Sequence, residues 1–208
     1  EGGEIGTIYA EERLKRDQDG YIIYNEGQPL TTESTEPYKL GSVNPKWNLG
    51  WRNGFSYKGF NFNFLLTARL GGIVISKTQA MLDQYGVSKA SADARDLGYV
   101  LVNGRDKVTP ETWYGVVGSG TSVPQYYTYS ATNVRLQEVS LGYTIPRKLL
   151  NDVCDIKVSL VGRNLWMIYS KAPFDPEAVA STGNYYQGID YFMMPSLRSV
   201  GFNLKLKF

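Results

Sequence analysis

The sequence has no histidine, one cysteine, and no long apolar run. Without histidine, Ser-His-Asp and Cys-His nucleophile activation are excluded, and so is the commonest metal ligand. Cys154 alone makes no internal disulfide and no metal cluster; it reads as a small apolar residue beside a turn. A formal net charge of +2 gives no electrostatic case for nucleic acid. No stretch approaches the roughly 18 consecutive apolar residues of a membrane helix, and the mean hydropathy is −0.30. Neither fact excludes membrane-spanning strands, in which only alternate residues meet lipid. No cofactor is expected. Glu1-Gly2-Gly3 reads as mid-protein sequence with no signal peptide, so the chain is expected to be a fragment.

What the chain does have is aromatic residues, 16 of them Tyr, together with 22 Gly and well-kept alternation. In a strand, successive side chains point to opposite faces. At the end of the chain Val200, Phe202, Leu204, Leu206 and Phe208 make one stripe, and Gly201, Asn203, Lys205 and Lys207 the other. Trp47, Leu49, Trp51, Phe55 and Tyr57 alternate in the same way, with Asn53 as an interruption. After the tight Lys58-Gly59 turn come Phe60, Phe62, Phe64, Leu66, Ala68 and Leu70, which predicts a hairpin. Val139, Leu141, Tyr143 and Ile145 form another stripe. So do Ile156, Val158, Leu160, Trp166 and Ile168.

Strands are therefore expected at about 5–13, 47–58, 60–70, 133–145, 155–168 and 196–208, with long loops at about 14–46, 71–131 and 169–195. Helical propensity marks 79–97 inside the second loop. Long connections alternate with minimal ones, as in a meander with every long loop at one end. Runs of about 10 residues suit a tilted crossing of the apolar band. Trp47, Tyr57, Tyr143 and Trp166 lie near strand ends, where aromatic girdles belong. The expected fold is all-β: an up-and-down antiparallel transmembrane β-barrel segment. A secreted all-β carbohydrate-binding module is the alternative.

Several stretches resemble one family. They are Ile5-Gly6-Thr7-Ile8-Tyr9, Asn44-Pro45-Lys46-Trp47-Asn48-Leu49-Gly50, Leu136-Gln137-Glu138-Val139-Ser140-Leu141-Gly142-Tyr143, Gly162-Arg163-Asn164-Leu165, Pro173-Phe174-Asp175-Pro176-Glu177 and the closing 183–204. In this order they resemble the C-terminal barrel part of SusC/RagA-type TonB-linked outer-membrane transporters. The resemblance implies a barrel of about 22 strands enclosing a plug, of which this chain would hold about the last six. It also implies import of oligosaccharides or peptides, with outer-membrane lipid, the rest of the barrel and plug, the TonB complex and a SusD-like surface lipoprotein as partners. Nucleic acid is not among them. On this orientation the three long loops are extracellular, and Lys58-Gly59 and 146–153 are periplasmic.

Transport of this kind needs no catalytic residue, and no enzyme is expected. Trp113, Tyr126, Tyr127, Tyr129, Tyr185, Tyr186, Tyr191 and Phe192 are the candidates for nutrient or lid contact, against loop self-packing. The resemblance makes Phe202, Leu204, Leu206 and Phe208 a signal for barrel assembly. Arg52, Arg69, Arg135, Arg163, Lys205 and Lys207 are expected on the lumen face. Asp17-Gln18-Asp19-Gly20 lacks the closing Glu of a calcium loop and reads as an Asx turn. Asp175, Glu177 and Asp190 would be the only candidates for a glycosidase pair. Beside Pro and Gly in polar loops, they read as loop-fixing hydrogen-bond acceptors.

Overall fold

The computed structural model describes residues 3–24, 32–119, 123–146, 148, 154–181, 183 and 186–207. In chain order the elements are β1 (Thr7–Leu14), β2 (Thr32–Ser42), β3 (Trp47–Tyr57), β4 (Phe60–Leu70), β5 (Ile73–Ser76), α1 (Lys77–Gln84) and α2 (Lys89–Leu97). These are followed by β6 (Val100–Val102), β7 (Asp106–Val108), α3 (Pro110–Val117), β8 (Thr128–Ser130), β9 (Asn133–Ile145), β10 (Asp155–Ser170), β11 (Ile189–Asp190) and β12 (Ser199–Lys207). They divide into two compact units. One comprises Pro45–Gly71, Ala131–Ala178 and Met194–Phe208; the other comprises Glu1–Asn44, Gly72–Ser130 and Val179–Met193.

The first unit is a five-stranded antiparallel sheet in the order β12-β10-β9-β4-β3. Its register follows from the alternation. Trp51 pairs with Leu66 and Phe55 with Phe62; Phe62 continues to Leu141; Leu141 continues to Leu160, and Leu160 to Phe202. One apolar row thus runs across the strands. Lys58 and Gly59 close the β3–β4 hairpin with φ of 46° and 89°. That is the primed turn whose twist matches its flanking strands. A Cβ on Gly59 would lie 2.9 Å from the Thr144 carbonyl oxygen, so the site needs glycine for space as well as for φ.

Three irregularities were not visible in the alternation, one of them a shift on β10 between Met167 and Tyr169. Between Leu65 and Leu66 on β4, β9 runs from Glu138 to Leu136, leaving Gln137 as an extra residue. Opposite the same step β10 runs from Arg163 to Trp166, with Asn164 at φ 50°. These bulges restore the faces on both sides, and β10 stays continuous over 16 residues. The register aligns the start of β3, the end of β4, the start of β9 and the end of β10 at one end of the sheet. Each long connection therefore leaves or rejoins the sheet there, and the Lys58-Gly59 turn lies at the other end.

The run expected as a strand, 5–13, is a strand with its own partner. It forms β1, which pairs with β2 in a separate two-stranded ribbon. Glu11, Glu12 and Arg13 stand in succession there, so the run offers no continuous face to lipid. Its buried residues, Ala10 and Leu14, point into the second unit. The stretch expected as loop 14–46 accordingly contains β2.

The second unit is organised around Leu14, Val102, Val108, Val117 and Val123, with Trp113, Tyr114 and Tyr126 packed against them. It holds the β6–β7 hairpin and a three-stranded sheet, β11-β5-β8. The helical propensity over 79–97 resolves into two helices. Ser76 caps α1 by accepting from the Gln79 N–H, and Ser88 caps α2 by accepting from Ser91 N–H. Gly98, left-handed at φ 80°, ends α2. Thr109 caps α3, with Pro110 in its first turn. Among the described residues no helix is long and apolar enough to cross a membrane.

Candidate functional site

The sheet has two chemically different faces. One carries Trp47, Leu49, Trp51, Phe55, Phe62, Leu141, Leu160, Trp166, Phe202 and Leu204, all exposed. Leu160 at 56% and Phe202 at 69% exposure lie in the middle of strands, not at their ends. A soluble sandwich would bury such a face against a second sheet. A contiguous apolar surface of this extent requires an apolar environment. The rings lock to one another: Trp51 meets Phe64 edge-on at 5.3 Å, and Phe60 lies 4.7 Å from Tyr143. Such cross-strand pairs contribute roughly 0.2–1 kcal/mol each. Asn53 interrupts the face, and its side-chain oxygen is satisfied locally by the Gly54 N–H at 2.8 Å.

The other face is polar and cross-linked. The Asn63 amide donates to Ser140 and the Asn61 amide to Thr144, each at 3.2 Å. Glu138 accepts from Arg52 on β3 and from Arg163 on β10, both at 3.2 Å. Arg52, Arg163, Lys157 and Lys205 therefore share this face. Glu138 escaped sequence reasoning; its place in the alternation beside two inward cations was the available signal.

At the end with the long connections, Arg135 is buried and reaches Asp175 at 2.7 Å and Glu177 at 3.3 Å. Asp175 also accepts from the Ser196 and Glu177 backbone N–H groups, at 3.1 Å each. Burial opposes ionisation of Asp175. Hydrogen bonds from the Ser196 and Arg135 side chains and from the Glu177 and Ser196 N–H groups outweigh it, holding the carboxyl below the ordinary carboxylate range. Asp175 and Glu177 thus fasten 171–178 to β9. A cavity of about 350 Å³ adjoins them, lined by Arg135, Trp166, Met167 and Phe174. Asp190, in the other unit, is buried and accepts from Ser76 Oγ at 2.6 Å.

The candidate aromatic residues separate into two groups. Trp113 and Tyr126 pack edge-on at 5.4 Å against the apolar centre of the second unit. Tyr127 is buried, and its hydroxyl donates to Asp83 at 3.1 Å. Burial and the Asp83 carboxylate push that hydroxyl's pKa far above the usual tyrosine range. Tyr129 is half-buried, and burial raises its pKa too. These rings build the unit from inside. Tyr186, Tyr191 and Phe192 are exposed. Tyr191 and Phe192 form an edge-on pair at 5.4 Å, and Phe192, at φ 51°, is tied by its N–H to Thr78 Oγ1 at 2.6 Å. Tyr185 and Phe208 lie outside the described residues. Phe202, Leu204 and Leu206 stand on the apolar face.

Asp17 Oδ1 accepts from the N–H groups of Asp19 and Tyr21, at 3.0 and 2.8 Å, so Asp17–Gly20 is an Asx turn. Among the described residues no group of three or more metal-ligating acidic or cysteine side chains is assembled. A groove of about 500 Å³ among α1, α2 and α3, lined by Asp83, Tyr85, Arg95, Glu111 and Tyr114, was not anticipated. Its walls come from residues distant in sequence, so no local motif marks it.

No protein-family model matches the chain. The chain is 25% identical over 176 residues to TonB-dependent receptor P3 of Formosa agariphila, covering 81% of this chain and 17% of that protein. Among solved structures it is similar to the RagAB peptide importer in its 'open-open' state, with a TM-score of 0.62 and 18% identity. That match covers 97% of this chain and 22% of the other. The 'closed-closed' state gives a TM-score of 0.62 at 19% identity, with the same coverage. The chain thus spans about a fifth of the length of these relatives. A sheet with one lipid-type face, long connections gathered at one end and these likenesses together give the chain the fold of a transmembrane β-barrel segment, similar to part of a TonB-dependent receptor.

Proposed function

We propose that the receptor containing this segment imports large nutrients, peptide or glycan oligomers, across the outer membrane, driven through the TonB complex and lidded by a SusD-like surface lipoprotein. The observation that carries this reading is the two-faced sheet. Hydrocarbon suits the Trp51, Leu160 and Phe202 side, and a water-filled lumen suits the side where Glu138 joins Arg52 and Arg163. The segment itself acts as wall and loop, not as catalyst. The long connections face outward in this reading. Tyr186, Tyr191 and Phe192 are the exposed rings that would stack on a nutrient or meet the lid, while Trp113, Tyr126, Tyr127 and Tyr129 support them from within. The RagAB relatives are peptide importers, which favours oligopeptides as the nutrient.

The test is growth of a strain lacking the receptor, complemented with the full-length gene, on oligopeptides or on oligosaccharides as sole nutrient. Restored growth on one class, lost again when the TonB system is inactivated, supports import of that class. Growth on both that is indifferent to the receptor and to TonB would overturn the proposal. Replacing Tyr191 and Phe192 together by Ala should raise the half-saturating nutrient concentration several-fold with unchanged receptor abundance.

A further inference from the structure

Strand β10 outruns one of its neighbours. Its pairing with β9 continues until Ser170 faces Asn133, whereas its pairing with β12 ends where Arg163 faces Ser199. Among the described residues, 166–170 therefore have a partner strand on one side only. The chain that leads into β12 does not complete the ladder. Pro195 has no N–H. The Ser196 N–H goes to Asp175 at 3.1 Å, and the Leu197 carbonyl accepts from the Asn164 amide at 3.1 Å. The cavity of about 350 Å³ lies in this gap, between Asn164, Met167 and Ser170 of β10 and the approaching Pro195 and Arg198. Two polar atoms of its lining residues have no partner among the described residues. Arg135 is 4% exposed, and its Nε–H meets no acceptor; Asn164 Oδ1 is buried and meets no donor. Buried polar groups left unpaired are costly and uncommon. Here a donor and an acceptor occur together, beside an open strand edge.

We propose that this gap binds an extended oligopeptide, which adds a short strand to the open edge of β10 beyond Arg163. The site deepens the import reading above and rests on it. An added strand satisfies a sheet edge through its main chain, with little regard to its side chains. Alternate residues of a strand turn their N–H and C=O to one neighbour, and the residues between turn theirs to the other side. A peptide laid along β10 thus brings the donor that Asn164 Oδ1 lacks and the acceptor that the Arg135 Nε–H lacks. Charge points the same way. Asp175 and Glu177 already answer the Arg135 guanidinium, so the cavity calls for a dipole and not for an anion. Met167 and Phe174 offer an apolar wall to a side chain. The end of β10 lies where the long connections gather, which is the outer end in the barrel reading and the one a nutrient reaches first. Hydroxyl groups of an oligosaccharide do not repeat at the spacing of a strand ladder, and binding of that class is an outcome of the test.

The test uses the purified full-length receptor in detergent and the neutral hexapeptide acetyl-Ala-Thr-Ala-Thr-Ala-Thr-amide. Calorimetry should detect binding of this peptide and none of its fully N-methylated counterpart, which lacks main-chain donors. With a benzophenone in place of the third side chain, photoactivation should attach the peptide to Met167 or to 195–198. Two variants separate the acceptor from the fold. Asn164 has φ 50°, which Gly and Asp both tolerate, and either replacement loses the bond to the Leu197 carbonyl. Only Asn164→Gly also loses the side-chain acceptor. It should weaken peptide binding several-fold relative to Asn164→Asp. Equal binding of the two peptides, no binding of either, equal affinity of the two variants, or attachment only elsewhere would each overturn the site. The growth experiment above tells the two failures apart. If the complemented strain grows through TonB on oligopeptides while the photolabel misses the gap, the site alone falls. If receptor-dependent growth occurs on oligosaccharides alone, the peptide reading and the site fall together.

Discussion

At the scale of single residues, Arg135 and Asp175 form the most deeply buried ion pair among the described residues. Both side chains are nearly buried, at 5% and 10% exposure, and they meet at 2.7 Å. Removing one partner of such a pair strands the other charge and costs about 3–5 kcal/mol. Arg135→Gln should therefore lower the unfolding midpoint of the detergent-solubilised receptor more than Glu177→Gln does, since Glu177 is the more exposed partner at 38%. The Asp175 carboxyl titrates below its ordinary value in the folded state. Its contribution is then complete above the unfolded value, about pH 4, and is lost as pH falls through the lower folded value. Thermal melts of wild type and Asp175→Asn should differ by a constant amount from pH 6 upward and converge below about pH 4. A gap that persists undiminished into acid would show that the carboxylate's charge does not hold the 171–178 segment. The partners in this cluster were not legible in sequence. Asp175 and Glu177 beside prolines suggested loop-fixing acceptors, and Arg135 suggested an inward cation, but only the fold brings positions forty residues apart together.

At the scale of the element, alternation supplied nearly everything about the sheet. Strict period-2 patterning in 47–57, 60–70 and 199–207 gave both the strands and their faces, because a one-residue slip would turn Lys205 and Lys207 into hydrocarbon. The pattern is less informative in 5–13, where consecutive Glu11, Glu12 and Arg13 break the period and the strand pairs with β2. The bulges at Gln137 and Asn164 stayed hidden because an extra residue in one strand is defined only against its partner. Leu204→Arg, on the exposed apolar face, should cost about 2–4 kcal/mol near the bilayer centre and less toward its edge. It should deplete folded receptor in outer-membrane fractions, whereas Asn203→Lys on the polar face should leave abundance unchanged. Equal depletion would refute the assigned faces. At the β3–β4 turn, Gly59→Ala meets both a positive φ and the Thr144 carbonyl oxygen, and should destabilise by about 1 kcal/mol or more. Lys58→Asn, whose site has φ 46°, should be neutral or stabilising in the same melting assay.

At the scale of the whole molecule, the two units obey different solvent rules. The second hides Leu14, Val108 and Val123 completely and turns charged residues such as Lys89 and Asp93 outward, as a water-surrounded unit does. Its interior was opaque to sequence reasoning because Trp113 and Tyr126 find each other through a core assembled from five separate stretches, with no shared period. The sheet inverts the rule, displaying Trp51, Leu160 and Phe202 and leaving β3 and β12 as edges with one unpaired side each. In water, an exposed apolar face and open edges both drive association. Residues 1–208 produced alone and refolded without detergent should therefore sediment as large, polydisperse assemblies. Addition of detergent micelles should shield the aromatic face yet leave the edges reactive, so that small oligomers persist. A monodisperse monomer in plain buffer, melting cooperatively, would mean that the apolar face is covered by the chain itself, and the hydrocarbon-facing assignment of Leu160 and Phe202 would have to be abandoned.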